Sequence, residues 1–246
     1  MPDFVTSNMN SSLSSGEMEE LLRTLTFPVV IYLHGNSFDR SRAHRCKMYN
    51  VLSALNFHIL AVDYRGYGDS SGFPTEVGVI QDVKELYKYA RKFVEKERIY
   101  IWGHSMGTGY FFPLPVAMEL SEVGSAPAGL VLESPFNNLR DEIHNHWLST
   151  PIRHLPWFDQ IIIDPLEYSG LKMSSDIRIT RFYLVLCPIL ILHAADDRVI
   201  PVGLGNRLYK AALSAGREAT YIEFESKYHF EHKYIYRSKE LPSIIK

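Results

Sequence analysis

The chain holds only two cysteines in 246 residues, Cys46 and Cys187, too few for a disulfide framework. Cys187 opens an apolar run and reads as a buried free thiol. No stretch reaches the ~18–20 apolar residues of a membrane helix. The longest apolar run, Tyr183–Leu192, is interrupted by Pro188 and reads as a buried strand. No charged segment followed by an apolar one opens the chain, so no signal peptide is expected. An excess of one charge is also missing: 26 Lys and Arg stand against 28 Asp and Glu, a net charge of −2. With the charges interspersed and no basic stripe, nucleic acid is not an expected partner. The glycine-rich stretch Asp63–Pro74 lacks the Lys-Ser/Thr ending of a phosphate-cradling loop. His144 and His146 flank Asn145, but an i, i+2 pair faces different ways on a helix and no third ligand is suitably spaced, so no metal is expected. No internal repeat is visible.

What the chain does contain is an alternating pattern. Apolar runs at Val29–Leu33, His58–Val62, Arg98–Trp102, Gly129–Leu132, Ile189–Leu192 and Thr220–Phe224 read as strands. Helical stretches lie between them: Ala43–Leu55, a stripe of Ile80, Val83, Tyr87, Ala90 and Val94 spaced 3, 4, 3, 4, and Val202–Ala215 closed by Gly216. Strands alternating with helices predict a mostly parallel sheet with helices on both faces. At 46% apolar residues the chain is long enough for one well-buried α/β core. Residues 1–26 read as a polar mobile tail and residues 27–246 as a single domain. Within that domain, about 134–180 has weak periodicity and many aromatics between two core strands, and reads as a cap inserted over the site.

The chemistry is concentrated at Gly103-His104-Ser105-Met106-Gly107, directly after the apolar run Ile99–Trp102. Gly-x-Ser-x-Gly behind a strand is the nucleophile elbow, a strained strand-to-helix turn that exposes a serine oxygen at the top of a sheet. The glycines on either side remove side chains that would collide at so tight a bend. A serine hydroxyl needs a base to take its proton and an acid to orient that base, and such elbows are followed in chain order by acid and then base. Asp197, leaving the strand Leu190–Leu192, is the expected acid, with Asp196 as a loop-shaping neighbour. The base should follow the last strand, where position alone does not separate His229 from His232. Two backbone donors for an oxyanion are expected at Met106, just after the nucleophile, and at Asn36, in the loop after the first strand. His34, before that turn, reads as structural. No cofactor is needed for such chemistry.

Five segments together resemble the lysophosphatidylserine lipase and monoacylglycerol lipase group of the α/β-hydrolases. They are His34-Gly35-Asn36, Asp63–Ser70, Trp102–Gly109, Leu132–Phe136 and His232–Tyr236. The resemblance runs from about Pro28 to Pro242, and it selects His232 over His229 as the base. It implies a serine ester hydrolase acting through an acyl-enzyme on lysophosphatidylserine or monoacylglycerols, with a small lipid as its partner. It also implies a membrane surface, that of the endoplasmic reticulum, although no anchor is visible in the chain and the residues alone suggest the cytoplasm. Members of the group carry a membrane helix and two further strands ahead of the first strand here. The fold is therefore expected to lack those strands, leaving Phe57–Val62 as an apolar sheet edge. Pro113 and Pro115 are expected to stop or kink the helix after Ser105. The competing readings are a palmitoyl-protein thioesterase and a truncated, catalytically inactive isoform.

Overall fold

The computed structural model describes residues 14–108, 113–136, 140, 143–144, 146, 149, 151–165 and 184–245. Six strands form one sheet: β1 (Val29–Leu33), β2 (His58–Val62), β3 (Ile99–His104), β4 (Gly129–Glu133), β5 (Ile189–Ala194) and β6 (Ala219–Phe224). Their spatial order is β2-β1-β3-β4-β5-β6 and every neighbouring pair is parallel. The helices are α1 (Ser15–Thr24), α2 (Ala43–Ala54), α3 (Glu76–Ala90), α4 (Pro113–Glu122), α5 (Val202–Ser214) and α6 (Leu241–Ile244).

The period-2 alternation of β1 divides the molecule into two cores. Val29, Ile31 and Leu33 pack with Val79, Val83 and Tyr87 of α3, Val116 and Leu120 of α4, and Leu208 and Ala212 of α5. Val30 and Tyr32 face the other way, with Met48, Tyr49 and Leu52 of α2, Trp102, Phe224, Phe230, Ile235 and Leu241 of α6. All five β1 residues are buried, as a parallel strand covered on both faces requires. α3 starts at Thr75, whose hydroxyl accepts the Gly78 N–H at 3.3 Å, and it ends at Ala90. Val94, expected on the same stripe, is buried beyond the helix end. Past α5, Gly216 takes the left-handed conformation at φ 70° that ends a helix.

Several expectations need correction. Part of the stretch read as a polar tail is helical: Ser14 caps α1 reciprocally, its Oγ accepting the Glu17 N–H at 3.4 Å while the Glu17 carboxylate accepts the Ser14 N–H at 2.8 Å. The Ser-x-x-Glu capping signal was present in the sequence, and Leu22 anchors the helix in the first core. Residues 1–13 lie outside the described residues. The stop or kink expected at Pro113 and Pro115 falls where the described residues break off, with α4 described from Pro113 to Glu122. Residues 109–112 after the elbow also lie outside the described residues. Of the expected cap, 137–139, 141–142, 145, 147–148, 150 and 166–180 lie outside them too. The described remainder includes a π-helical turn, Asp159–Ile163, with Phe158 and Ile163 buried. Arg140 ties it down through Asp159 at 2.7 Å and Asp164 at 3.2 Å. β2 is an edge strand of the described sheet, with only Leu60 fully buried. No helix among the described residues is long and apolar enough to cross a membrane.

The register places the site. Leu33 lies beside Gly103, His104 beside Glu133 and Ala194 beside Phe224. The loops leaving β1, β3, β5 and β6 therefore emerge together at the carboxyl edge of the sheet, where parallel α/β folds build their sites.

Candidate active site

β3 runs straight into Ser105, which sits at φ 55°, a left-handed conformation for a residue with a side chain. Two glycines make the bend possible. A Cβ on Gly103 would run into the Gly107 carbonyl, and one on Gly107 into the Leu33 carbonyl of the neighbouring strand. The turn is closed by Thr108, whose hydroxyl donates to the Ser105 carbonyl at 2.6 Å.

His232 lies between two groups. Its Nδ1 is 2.7 Å from Asp197 Oδ2 and its Nε2 is 2.8 Å from Ser105 Oγ. An ionised carboxylate only accepts, so Nδ1 carries the proton and Nε2 is left to accept from the serine hydroxyl. All three residues are nearly shut off from solvent, at 9%, 6% and 6% exposure for Ser105, Asp197 and His232. Asp197 Oδ1 accepts the Val199 and Ile200 N–H groups, both at 2.9 Å. Its Oδ2 also lies 3.4 Å from His193 Nε2, which donates to the Ile200 carbonyl at 2.9 Å. Burial by itself would raise the Asp197 carboxyl. The electrostatic pull and hydrogen bonds of His232 and His193 outweigh it and hold the group well below the usual carboxylate range. His229, the other histidine after β6, is exposed, at φ 52° in the left-handed region. Asp196 accepts the Glu231 N–H at 3.1 Å and so ties the loop of His232 to the loop of Asp197.

Asn36 and Met106 line the same cavity as Ser105, of about 550 Å³, together with Arg42, His44, Arg45, Phe136, His146 and Lys233. Among its described lining residues none is Asp or Glu. Burial lowers His44 to about 4, helped by the nearby charge of Arg45. Tyr67 donates to Asn36 Oδ1 at 3.1 Å and touches the Met106 sulfur at 3.6 Å, so one hydroxyl spans both expected oxyanion residues. A larger cavity of about 950 Å³ lies beside the 63–73 turn. It is lined by mixed acids and bases and does not include Ser105.

Four groups around the site escaped sequence reasoning. His104 Nε2 donates to the His232 carbonyl at 2.9 Å, binding the elbow to the loop of the base. His193 braces Asp197. Glu133, at the end of β4, is fully buried against the Trp102 N–H at 2.9 Å. Arg45 sits on the buried stripe of α2 with Met48, Tyr49 and Leu52. A charged residue on an apolar helical stripe was the available signal for Arg45, and a carboxylate ending an apolar strand was the signal for Glu133.

His144 lies 2.9 Å from Asp159 Oδ1, whereas His146 lines the cavity, so the two do not converge. Cys187 is buried, which pushes its thiol up to about 12.

Comparison with known proteins places this geometry in a family. Residues 30–233 match the model of the alpha/beta hydrolase family. A lysophosphatidylserine lipase, ABHD12, of Danio rerio is 40% identical over 222 residues, which is 89% of this chain and 57% of that protein. Protein ABHD12B of Homo sapiens is 37% identical over 190 residues, 77% of this chain and 51% of that protein. The chain thus spans a little over half the length of these curated relatives. Among solved structures, an alpha-beta hydrolase of Vibrio vulnificus superposes with a TM-score of 0.71 at 24% identity, covering 88% of this chain and 72% of that one. Est1E of Butyrivibrio proteoclasticus, bound to ferulic acid, gives 0.64 at 20% identity over 89% of this chain and 86% of that one. The sheet order, the elbow and the matched span agree, and the chain belongs to the alpha/beta hydrolase family.

Proposed function

We propose that this chain is a serine hydrolase cleaving carboxylic esters of lysophospholipids, with Ser105, His232 and Asp197 as its catalytic residues. The observation carrying this reading is the unbroken hydrogen-bonded line from Ser105 Oγ through both nitrogens of His232 to Asp197. Ser105 Oγ attacks the acyl carbon while its proton passes to His232 Nε2, and Asp197 holds the resulting imidazolium. The tetrahedral oxyanion accepts from the backbone N–H groups of Asn36 and Met106. His232 then returns the proton to the departing alkoxide, leaving an ester on Ser105. Water, deprotonated by the same nitrogen, releases the fatty acid and restores the serine. No cofactor enters these steps.

The substrate class draws on two supports. Curated relatives 40% identical to this chain are named lysophosphatidylserine lipases, and the cavity chemistry suits an anionic headgroup. Arg42 and Lys233 line it, and none of its described lining residues is a carboxylate; the Arg42 guanidinium carbon lies over the Phe38 ring, 3.1 Å from its centroid. A neutral monoacylglycerol offers Arg42 and Lys233 no charge to meet.

The test is fatty-acid release from lysophosphatidylserine and from a monoacylglycerol in mixed micelles. Wild type should hydrolyse the anionic lipid faster, and Ser105→Ala should lower turnover by about 10⁴-fold or more. Arg42→Gln combined with Lys233→Gln should raise KM for the lysolipid about tenfold and leave the monoacylglycerol unaffected. A folded wild type that releases no acid from any ester rejects the hydrolase. Equal use of both lipids, indifferent to Arg42 and Lys233, rejects the headgroup assignment alone. Faster cleavage of a palmitoyl thioester would favour the thioesterase instead.

A further inference from the structure

The loop between β1 and α2 is unusual in its backbone. Ser37 and Phe38 stand in succession at φ 73° and 63°, a left-handed pair of side-chain-bearing residues that costs of order 1–3 kcal/mol each unless the surroundings impose it. One side chain imposes it. The Arg45 guanidinium, from the first turn of α2, donates through Nη2 to the carbonyls of Gly35 at 3.0 Å, Ser37 at 3.1 Å and Asn36 at 3.4 Å, and through Nη1 to that of Asp39. The left-handed pair curls the loop so that these carbonyls converge on one point. Arg45 is 2% exposed, and no carboxylate of the described residues forms an ion pair with it. The carbonyl oxygens are thus its compensation.

A trans peptide points its C=O and the following N–H in opposite directions. Drawing the Gly35 carbonyl onto Arg45 therefore turns the Asn36 N–H away from Arg45. His34 Nδ1, 2.8 Å from the same carbonyl, holds it from a second side. This loop lies against the nucleophile: a Cβ built on Gly35 would lie 3.0 Å from Ser105 Cβ. The Asn36 N–H has no acceptor among the described residues. A fixed positive charge behind the peptide also polarises it, strengthening the donor at its far end.

We propose that Arg45 is a positioning residue of the oxyanion site, holding the 35–39 carbonyls so that the Asn36 N–H faces the Ser105 hydroxyl. This rests on the hydrolase reading, and it adds a residue that touches neither substrate nor triad. Removing the guanidinium frees the strained loop to relax, and the peptide linking Gly35 and Asn36 can then rotate its donor away.

The test compares wild type, Arg45→Gln and Arg45→Lys on p-nitrophenyl butyrate. Rates are divided by the serine titrated to completion with a fluorophosphonate, so that unfolded protein does not count. Arg45→Gln should lose about 10²-fold in kcat per titrated serine, the scale of one lost oxyanion donor, with KM within about twofold. Arg45→Lys, which keeps the charge and loses the fork, should fall between. The affinity for a trifluoromethyl ketone, which binds as an oxyanion, should fall in step with kcat/KM. The pH midpoint of kcat/KM should not move, because the His232–Asp197 pair is untouched. Unchanged kcat per titrated serine overturns the proposal, as does a loss accompanied by a shifted pH midpoint, which would mean that Arg45 acts on the base. If Arg45→Gln does not fold, Arg45→Lys carries the same comparison, with at least tenfold loss expected. A wild type that takes no fluorophosphonate overturns the hydrolase reading itself; an active wild type indifferent to Arg45 overturns only this step.

Discussion

At the scale of single residues, the candidate site and its surroundings hold two buried carboxyls, Asp197 and Glu133, that are driven in opposite directions. Asp197 stays ionised because two backbone N–H groups and two histidines surround it. Asp197→Asn would present an amide N–H to His232 Nδ1, favour the wrong tautomer and leave Nε2 protonated toward the serine. On the proposed mechanism kcat should fall by about 10³–10⁴-fold while the melting temperature at neutral pH moves little by comparison; a loss under tenfold would contradict the tautomer argument. Among the described residues Glu133 has only the Trp102 N–H as a hydrogen-bond partner, and burial, reinforced by the negative charge of Asp197, raises it from the ordinary 4.5 to about 7. A folded-state value above the unfolded one means that the native protein binds the extra proton. The associated stability is fully present below about pH 4.5 and is lost as pH rises through about 7. Glu133→Gln keeps an acceptor for Trp102 and removes the titration, so its stability relative to wild type should rise between pH 5 and pH 8 by about 3 kcal/mol. Urea melts of both proteins across that range check the sign, and parallel pH profiles would show that Glu133 ionises no differently in the folded state.

At the scale of elements, the elbow is a joint between two backbones rather than a property of the serine. Gly107 packs against the Leu33 carbonyl of β1, so a methyl there must push the elbow away from the strand beside it. Gly107→Ala should cost more than about 3 kcal/mol, the range of exceptional single substitutions, whereas Gly203→Ala in α5, which meets nothing within 4 Å, should be stabilising by about 0.4–1 kcal/mol. Equal effects in denaturant melts would contradict that packing. Such elements were largely legible in the sequence, because buried parallel strands are short apolar runs and their ends needed adjusting by only one or two residues. α1 was less visible: its apolar stripe is short, and the capping pair Ser14 and Glu17 is hidden in a serine-rich segment.

At the scale of the whole molecule, four loops from four strands meet at one edge of the sheet, and the chain order of the proposed nucleophile, acid and base could be read before any contact was known. The choice between His229 and His232 could not be made by position, since both follow β6; it depends on the left-handed turn at His229 and on Asp196 tethering Glu231. The supporting groups were hidden for the same reason. Arg45, His104 and His193 look like an ordinary helix residue, a variable elbow position and a strand residue, and their contacts exist only because the fold brings backbone carbonyls, and for His193 also the Asp197 carboxylate, within reach. The most direct measurement is mass spectrometry of the full chain after exhaustive reaction with a fluorophosphonate, followed by peptide mapping. The expected result is one phosphonyl group per molecule, carried by Ser105 and abolished in a folded Ser105→Ala variant. A folded protein that stays unmodified, or that carries its adduct on another residue, would contradict the assignment of Ser105 as the nucleophile.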